Sequence, residues 1–300
     1  MLNKLKNIGP IFIIIAALLW SIDGLLRRSL YSLPPSVIVF YEHLVGFAVL
    51  LFLIPKWWPD LKKMSRKEWI AICLVSLFSG ALGTIFYTAA LGKVNYIQFS
   101  VVVLLQQLQP IWAISAAAIL LKEKVTKKFL LWALVALVAA YFVNFKDLTV
   151  NLETGAGTAI AGLFAILAGV LWGSSTAISK YVLNKVHFLT ATALRFALAP
   201  IFALGFVLSM GQSASLTQIT TPQLQTLLLI AFSTGMLALA IYYYGLKRTP
   251  ARVTTICELV WPASAVFIDY VYFHQTYSIT QILGIVVLLF AIYQVAWKNK

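Results

Sequence analysis

Charge is what this sequence has least of. It holds only nine Asp and Glu residues in 300, and charged residues of both signs make up 11%. A soluble domain is about one quarter charged, so there is too little charge here to clothe a water-facing surface. Cysteine is also scarce: Cys73 and Cys257 both lie inside apolar runs, and no disulfide framework is implied. The three histidines, His43, His187 and His274, stand far apart without metal-ligand spacing, so no metal site is expected. No phosphate loop of the Gly-x-x-x-x-Gly-Lys-Ser/Thr kind occurs, which leaves ATP-driven transport unsupported. No nucleophile motif suggests a membrane enzyme. The sequence predicts no enzyme and no cofactor.

What is abundant is apolar. Hydrophobic residues reach 61% and the mean hydropathy is +0.91, more than a soluble core of this length can hold. A helix needs about 20 apolar residues to cross a hydrocarbon layer roughly 30 Å thick. Ten stretches qualify, at 8–28, 36–55, 69–91, 96–121, 128–145, 158–181, 188–209, 223–246, 250–272 and 279–297. Each is too long for a barrel strand and must satisfy its own backbone hydrogen bonds in lipid, so helices are required. The first lacks a small-residue cleavage site and does not read as a signal peptide. The expected fold is an all-α integral membrane protein of ten transmembrane helices.

The basic excess sorts by loop. Eighteen of the 23 Lys and Arg residues fall at the two termini or after the even-numbered stretches, as at 56–67, 122–128 and 247–252. Four (Arg27, Arg28, Lys93 and Lys146) fall on the other side, and Arg195 lies within stretch seven. Cytoplasmic loops are rich in Lys and Arg, so both termini are expected in the cytoplasm of a cell inner (plasma) membrane protein. The net charge of +14 is thus a topology signal, and no nucleic acid partner is expected. Trp57, Trp58, Trp69 and Trp297 fall at the predicted inner boundary, where aromatic rings anchor.

The chain also repeats itself. Leu19-Trp20-Ser21 returns as Leu171-Trp172-Gly173, and Gln109-Pro110 matches Trp261-Pro262, both at an offset of 152. Gly80 and Tyr87 match Gly235 and Tyr242 at 155. Residues 1–145 and 158–300 read as two five-helix units joined by an external polar linker, 146–157. Five is odd, so the second unit enters from the other side and the copies are inverted, an arrangement typical of secondary transporters. The Leu-Trp pair in the first helix of each half resembles the drug/metabolite transporter superfamily, EamA type. So do Tyr87-Thr88-Ala89-Ala90-Leu91 closing stretch three and Leu120-Leu121-Lys122-Glu123 closing stretch four. The resemblance covers nearly the whole chain. It departs where Glu123 aligns with Gln275 and where His43 stands against Arg195. With the repeat, it implies a cavity lined by stretches one, three, four, six, eight and nine, and it favours export.

Ionisable residues inside the membrane cost roughly 2.5–3.5 kcal/mol each at a helix centre and need a reason. Glu258 lies near mid-depth, four residues before Pro262, and Gln106 lies four before Pro110. Each proline removes a backbone hydrogen bond, so each kink is expected to bare the carbonyl of Glu258 or Gln106 beside its polar side chain. Glu258 reads as a solute or coupling-ion site, or else as a protonated carboxyl donating to a neighbouring helix. Trp261 and Gln109 each follow by three on the same face. Trp20, Tyr87, Trp172 and Tyr242 are placed on matched helices by the repeat, as solute contacts or as packing. Asp23, Glu42 and His43, with Arg27 and Arg28, suggest an outer ion-pair network. Glu42, His43 and Glu258 are the candidates for proton coupling. Arg195 should face the interior, in a structural pair or on the solute. Asp269 reads as a cap or a gate, Lys67 and Glu68 as solvated charge, and Gly162, Gly169 and Gly173 as close helix contacts.

These features predict a secondary transporter of small organic metabolites, such as amino acids or related amphipathic compounds, proton- or gradient-coupled. An exporter of organic cations or a passive facilitator is the alternative. The expected partners are the solute and membrane lipids, with the chain a monomer or homodimer.

Overall fold

The computed structural model describes residues 8–93, 105–144, 156–273 and 276–298, and their regular structure is helical throughout. In chain order the helices are α1 (Gly9–Arg28), α2 (Pro35–Leu51), α3 (Arg66–Leu91), α4 (Gln109–Leu120) and α5 (Lys127–Asn144). They continue as α6 (Ala156–Leu183), α7 (Phe188–Ser209), α8 (Thr221–Arg248), α9 in two pieces (Ala251–Cys257 and Val260–Phe273) and α10 (Ile279–Lys298). Prolines start α1 and α2, where a missing N–H is no loss. Capping boxes built on Ser65–Glu68, Thr220–Gln223 and Ser278–Gln281 start α3, α8 and α10.

Among the described residues, six helices are long and apolar enough to cross a membrane, and the pair Pro35–Leu51 and Ile54–Lys63, bent by 86°, makes a seventh if taken as one span. This is therefore a multi-pass helical membrane protein. The stretch predicted at 36–55 stops at Leu51 because Pro55 cannot continue a helix against the carbonyl four residues back. Trp57 folds back, buried, and donates its indole N–H to Leu50 O at 2.8 Å, so it caps α2 and does not anchor in lipid as expected. Part of the stretch predicted at 96–121, including 96–104, lies outside the described residues, as does most of the linker at 146–157.

Packing follows an exchange rule. α1 lies along α8 and α9, while α6 lies along α3 and α4. α2 pairs with α7, α5 with α10, and α4 with the first piece of α9. Swapping the first five helices for the last five leaves these pairs unchanged. In lipid, helix association rests on close van der Waals contact, for which small residues are needed. A Cβ on Gly169 would stand 2.9 Å from Gln106 O and one on Gly173 2.5 Å from Gln109 O, so α6 rides directly on the backbone of α4 and of the turn ahead of it.

Loops assigned to one face by charge meet each other. Asp60 accepts from His187 N at 2.6 Å and from Thr190 Oγ1 at 3.1 Å, capping α7. Glu123 accepts from Ala251 N at 2.7 Å and Arg252 N at 3.1 Å, capping α9. Lys247 donates to Val186 O at 2.6 Å. On the opposite face Ser36 donates to Gln212 at 2.5 Å and Tyr41 to Leu216 O at 2.8 Å. Glu68 departs from its reading as solvated charge. It is 3% exposed and accepts from Ser65 N at 2.8 Å and the Tyr181 hydroxyl at 3.0 Å.

Candidate solute cavity

Two kinds of helix defect meet at the centre, each present once in each half. α9 breaks at Glu258–Leu259, and the helical turn ahead of α4 breaks at Gln107–Leu108, in near register with it. Downstream prolines explain both, since Pro110 and Pro262 donate no N–H. The expected bare carbonyl at Glu258 is corrected: it accepts from Trp261 N at 3.0 Å, because the turn tightens to a three-residue closure. The Gln106 carbonyl faces Gly169. The second defect is a π-helical segment, at Ser76–Leu82 in α3 and Ala231–Gly235 in α8, beginning at the same repeat position. Such segments free backbone carbonyls and recur at functional sites. Here Ser79 O accepts from Thr84 Oγ1 at 3.0 Å, Arg195 Nη2 at 3.1 Å and Trp172 Nε1 at 3.2 Å.

Between these defects lies one cavity. Every predicted site residue lines it except Pro262, whose side chain lies outside the described residues, as does that of Asp269. Glu258 lines it between donors from both halves. Gln109 Nε2 donates to Glu258 Oε2 at 2.7 Å, and the Tyr242 hydroxyl donates to Oε1 at 2.8 Å. Gln106 Nε2 donates to Gln109 Oε1 at 2.9 Å, and Thr176 Oγ1 lies 3.2 Å from the Tyr242 hydroxyl. The result is a polar row crossing from α4 through α9 to α8 and α6.

Rings flank the row in matched pairs. Trp20 and Tyr242 have centroids 5.1 Å apart at 52°, and Trp172 and Tyr87 5.1 Å apart at 53°. Each pair joins the first helix of one half to the third helix of the other. Trp261 adds a further ring 6.3 Å from Tyr87.

The predicted ion-pair network is present in part. Arg27 binds Asp23 through Nε and Glu42 through Nη2, the latter at 2.7 Å, with Thr88 Oγ1 3.4 Å from Nη1. Thr234 Oγ1 donates to Asp23 Oδ1 at 2.6 Å. His43 is not joined to it: Nδ1 lies 2.9 Å from Val39 O one turn back, and the ring stacks on Phe196. The Arg28 side chain lies outside the described residues. Arg195 faces the cavity and meets Ser79 O and the Tyr243 hydroxyl, the latter at 3.3 Å.

Several polar atoms on the wall have no partner among the described residues: Gln106 Oε1, Ser175 Oγ, Arg195 Nε, Thr255 Oγ1 and Trp261 Nε1. Buried polar groups are nearly always bonded, so this set is equipped to meet something polar. Sequence reasoning missed Ser79, Ser175, Thr176 and Thr234. The same offsets of 152 and 155 mark three of them, as Ser79 aligns with Thr234 and Ser175 with Asp23.

The model of the EamA-like transporter family matches this chain twice, at residues 7–145 and 159–297. The chain belongs to the EamA-like transporter family. It is 32% identical over 99% of both chains to the riboflavin transporter ImpX of Fusobacterium nucleatum subsp. nucleatum. The uncharacterized transporter YetK of Bacillus subtilis is 25% identical, over 85% of this chain and 76% of YetK. Protein LicB of Haemophilus influenzae is 26% identical over 89% and 90%. A solved crystal structure shares the fold with a TM-score of 0.71 at 16% identity, over 96% of this chain and 97% of that one. The chain is accordingly a secondary transporter of a small molecule and not an enzyme.

Proposed function

We propose that this transporter carries riboflavin, or a flat heteroaromatic of the same class, across the plasma membrane by alternating access. The observation that carries the reading is the pair of Trp–Tyr units, Trp20–Tyr242 and Trp172–Tyr87, set in near-identical geometry across the cavity beside the Glu258 row. Offset and tilted aromatic contacts suit a planar ring system. The carboxylate and amides suit sugar-alcohol hydroxyl groups, since a carboxylate offers about four lone-pair sites and two are taken here. Similarity over full length to a riboflavin transporter supports the same class and narrows the broader expectation of amino acids or other metabolites.

In this reading ten helices cross the bilayer as two inverted five-helix repeats with both termini cytoplasmic. The exchange rule of helix packing, the paired defects and the meeting of same-face loops support it. We assign solute contact to Trp20, Tyr87, Gln106, Gln109, Trp172, Tyr242, Glu258 and Trp261, and coupling to the carboxylates Glu42 and Glu258.

Purified protein in liposomes tests the function directly. Labelled riboflavin should enter in a saturable manner, well above the rate in protein-free vesicles. A rate equal to that of empty vesicles would overturn the assignment.

A further inference from the structure

The two halves differ chemically where they face the cavity. In the register set by Trp20 and Trp172, Asp23 and Arg27 of α1 correspond to Ser175 and Ser179 of α6, and His43 of α2 to Arg195 of α7. The contacts keep that register. Arg27 Nη1 reaches Thr88 on α3 at 3.4 Å, and Ser179 Oγ reaches the Tyr243 hydroxyl on α8, the matched residue, at 3.1 Å.

In the first half the arginine is neutralised by two carboxylates, Asp23 and Glu42. In the second half the arginine sits one helix away, on α7, and its acids are missing. Arg195 bonds only a carbonyl and a hydroxyl, and no acid lies within ion-pair reach of it among the described residues. Its Nε has no partner. Ser175 occupies the place of Asp23, is 2% exposed, lines the cavity, and its Oγ also has no partner. It stands one turn from Ser179, whose contact Tyr243 is also bonded to Arg195. A guanidinium held at membrane depth without an acid is costly. A buried donor left unbonded adds to that cost. The same cavity wall therefore presents a guanidinium without an acid and an unbonded hydroxyl donor.

We propose that the solute supplies the acceptor. A carbonyl, imide or carboxylate oxygen docks between Arg195 and Ser175, so the transporter selects acceptor-rich planar solutes and rejects organic cations. This rests on the transport reading and deepens it. For a flavin, the dioxo edge of the ring system points towards α6 and α7.

Calorimetric titration of the purified full chain tests it with riboflavin, with lumichrome (an alloxazine with the same two carbonyls but no side chain) and with proflavine (a flat cation without carbonyls). The wild type should bind riboflavin and lumichrome, and proflavine at least about tenfold more weakly. Arg195→Gln should weaken both dioxo ligands about tenfold or more, while Arg195→Lys retains most of the affinity. Ser175→Asp, which installs the acceptor of the other half, should displace the dioxo ligands and admit proflavine. Wild-type affinity for riboflavin in both Arg195→Gln and Ser175→Asp would overturn the proposal, as would proflavine binding as tightly as lumichrome. If the wild type binds no flavin, the riboflavin reading falls and a separate pair decides the acceptor site. An Arg195-dependent preference for 1-naphthoate over 1-naphthylmethylammonium upholds it; indifference, or preference for the cation, overturns it.

Discussion

Glu258 holds its carboxylate between a donor from each half of the chain, Gln109 and Tyr242. A hydrogen bond to a charged group is worth about 1.5–3 kcal/mol, and a carboxamide presents a donor where one of these donors already points. Glu258→Gln should therefore lower riboflavin uptake at least about tenfold and lower the melting temperature by a few degrees, while the gel-filtration profile stays at that of the folded wild type. Uptake at the wild-type rate would remove Glu258 from the mechanism. At this scale the sequence was highly legible, because a polar residue in an apolar stretch is expensive and the repeat says which of them share a level. That logic singled out Glu258, Gln109, Asp23 and Arg195, all of which line the cavity. It misread Glu68 as solvated although Ser65-x-x-Glu68 is a local capping-box pattern, and it failed for Asp60 and Glu123, whose partners His187 and Ala251 lie more than a hundred residues away. Nothing in a local pattern marks a carboxylate that caps a helix of the opposite half. It also overreached at His43, whose own helix supplies its partner.

Helices here are defined as much by their interruptions as by their length. Pro55, Pro110 and Pro262 announce three breaks in the sequence, although the first shortens α2 where an uninterrupted span was expected. The π-helical segments of α3 and α8 carry no proline and were illegible, since they depend on how these helices pack on α7 and α1. The glycine contacts of α6 were legible from spacing alone, and their physical role is clear. A side chain on Gly173 would meet Gln109 O at 2.5 Å and Ala113 N at 3.1 Å, both rigid backbone, directly beneath the Glu258 row. Gly173→Leu should destabilise the protein by about 1–3 kcal/mol and abolish riboflavin binding. Gly205→Leu is the control, because nothing lies within 4 Å of its Cβ position. Equal melting temperatures for the two variants would show that the α4–α6 approach does not matter.

The whole molecule is a pair of similar halves made unequal. Their packing, their helix defects and their Trp–Tyr pairs match, whereas their charges do not: one half pairs its cavity arginine with acids and the other leaves its own bonded only to a carbonyl and a hydroxyl. Cross-half bonds link the halves on both faces, carboxylates on the basic face (Asp60, Glu68, Glu123) and neutral groups on the other (Ser36, Tyr41). In the proposed alternating-access cycle one set of bonds opens at a time and never both, as the halves rock about a shared centre. That distinguishes it from a pore. Counterflow is the most direct test: vesicles containing the protein are loaded with unlabelled riboflavin, and a trace of labelled riboflavin is added outside. The label should accumulate transiently inside, above its equilibrium level, because each outward passage returns a loaded site. A label that only relaxes to equilibrium, with no overshoot, would contradict alternating access about this cavity.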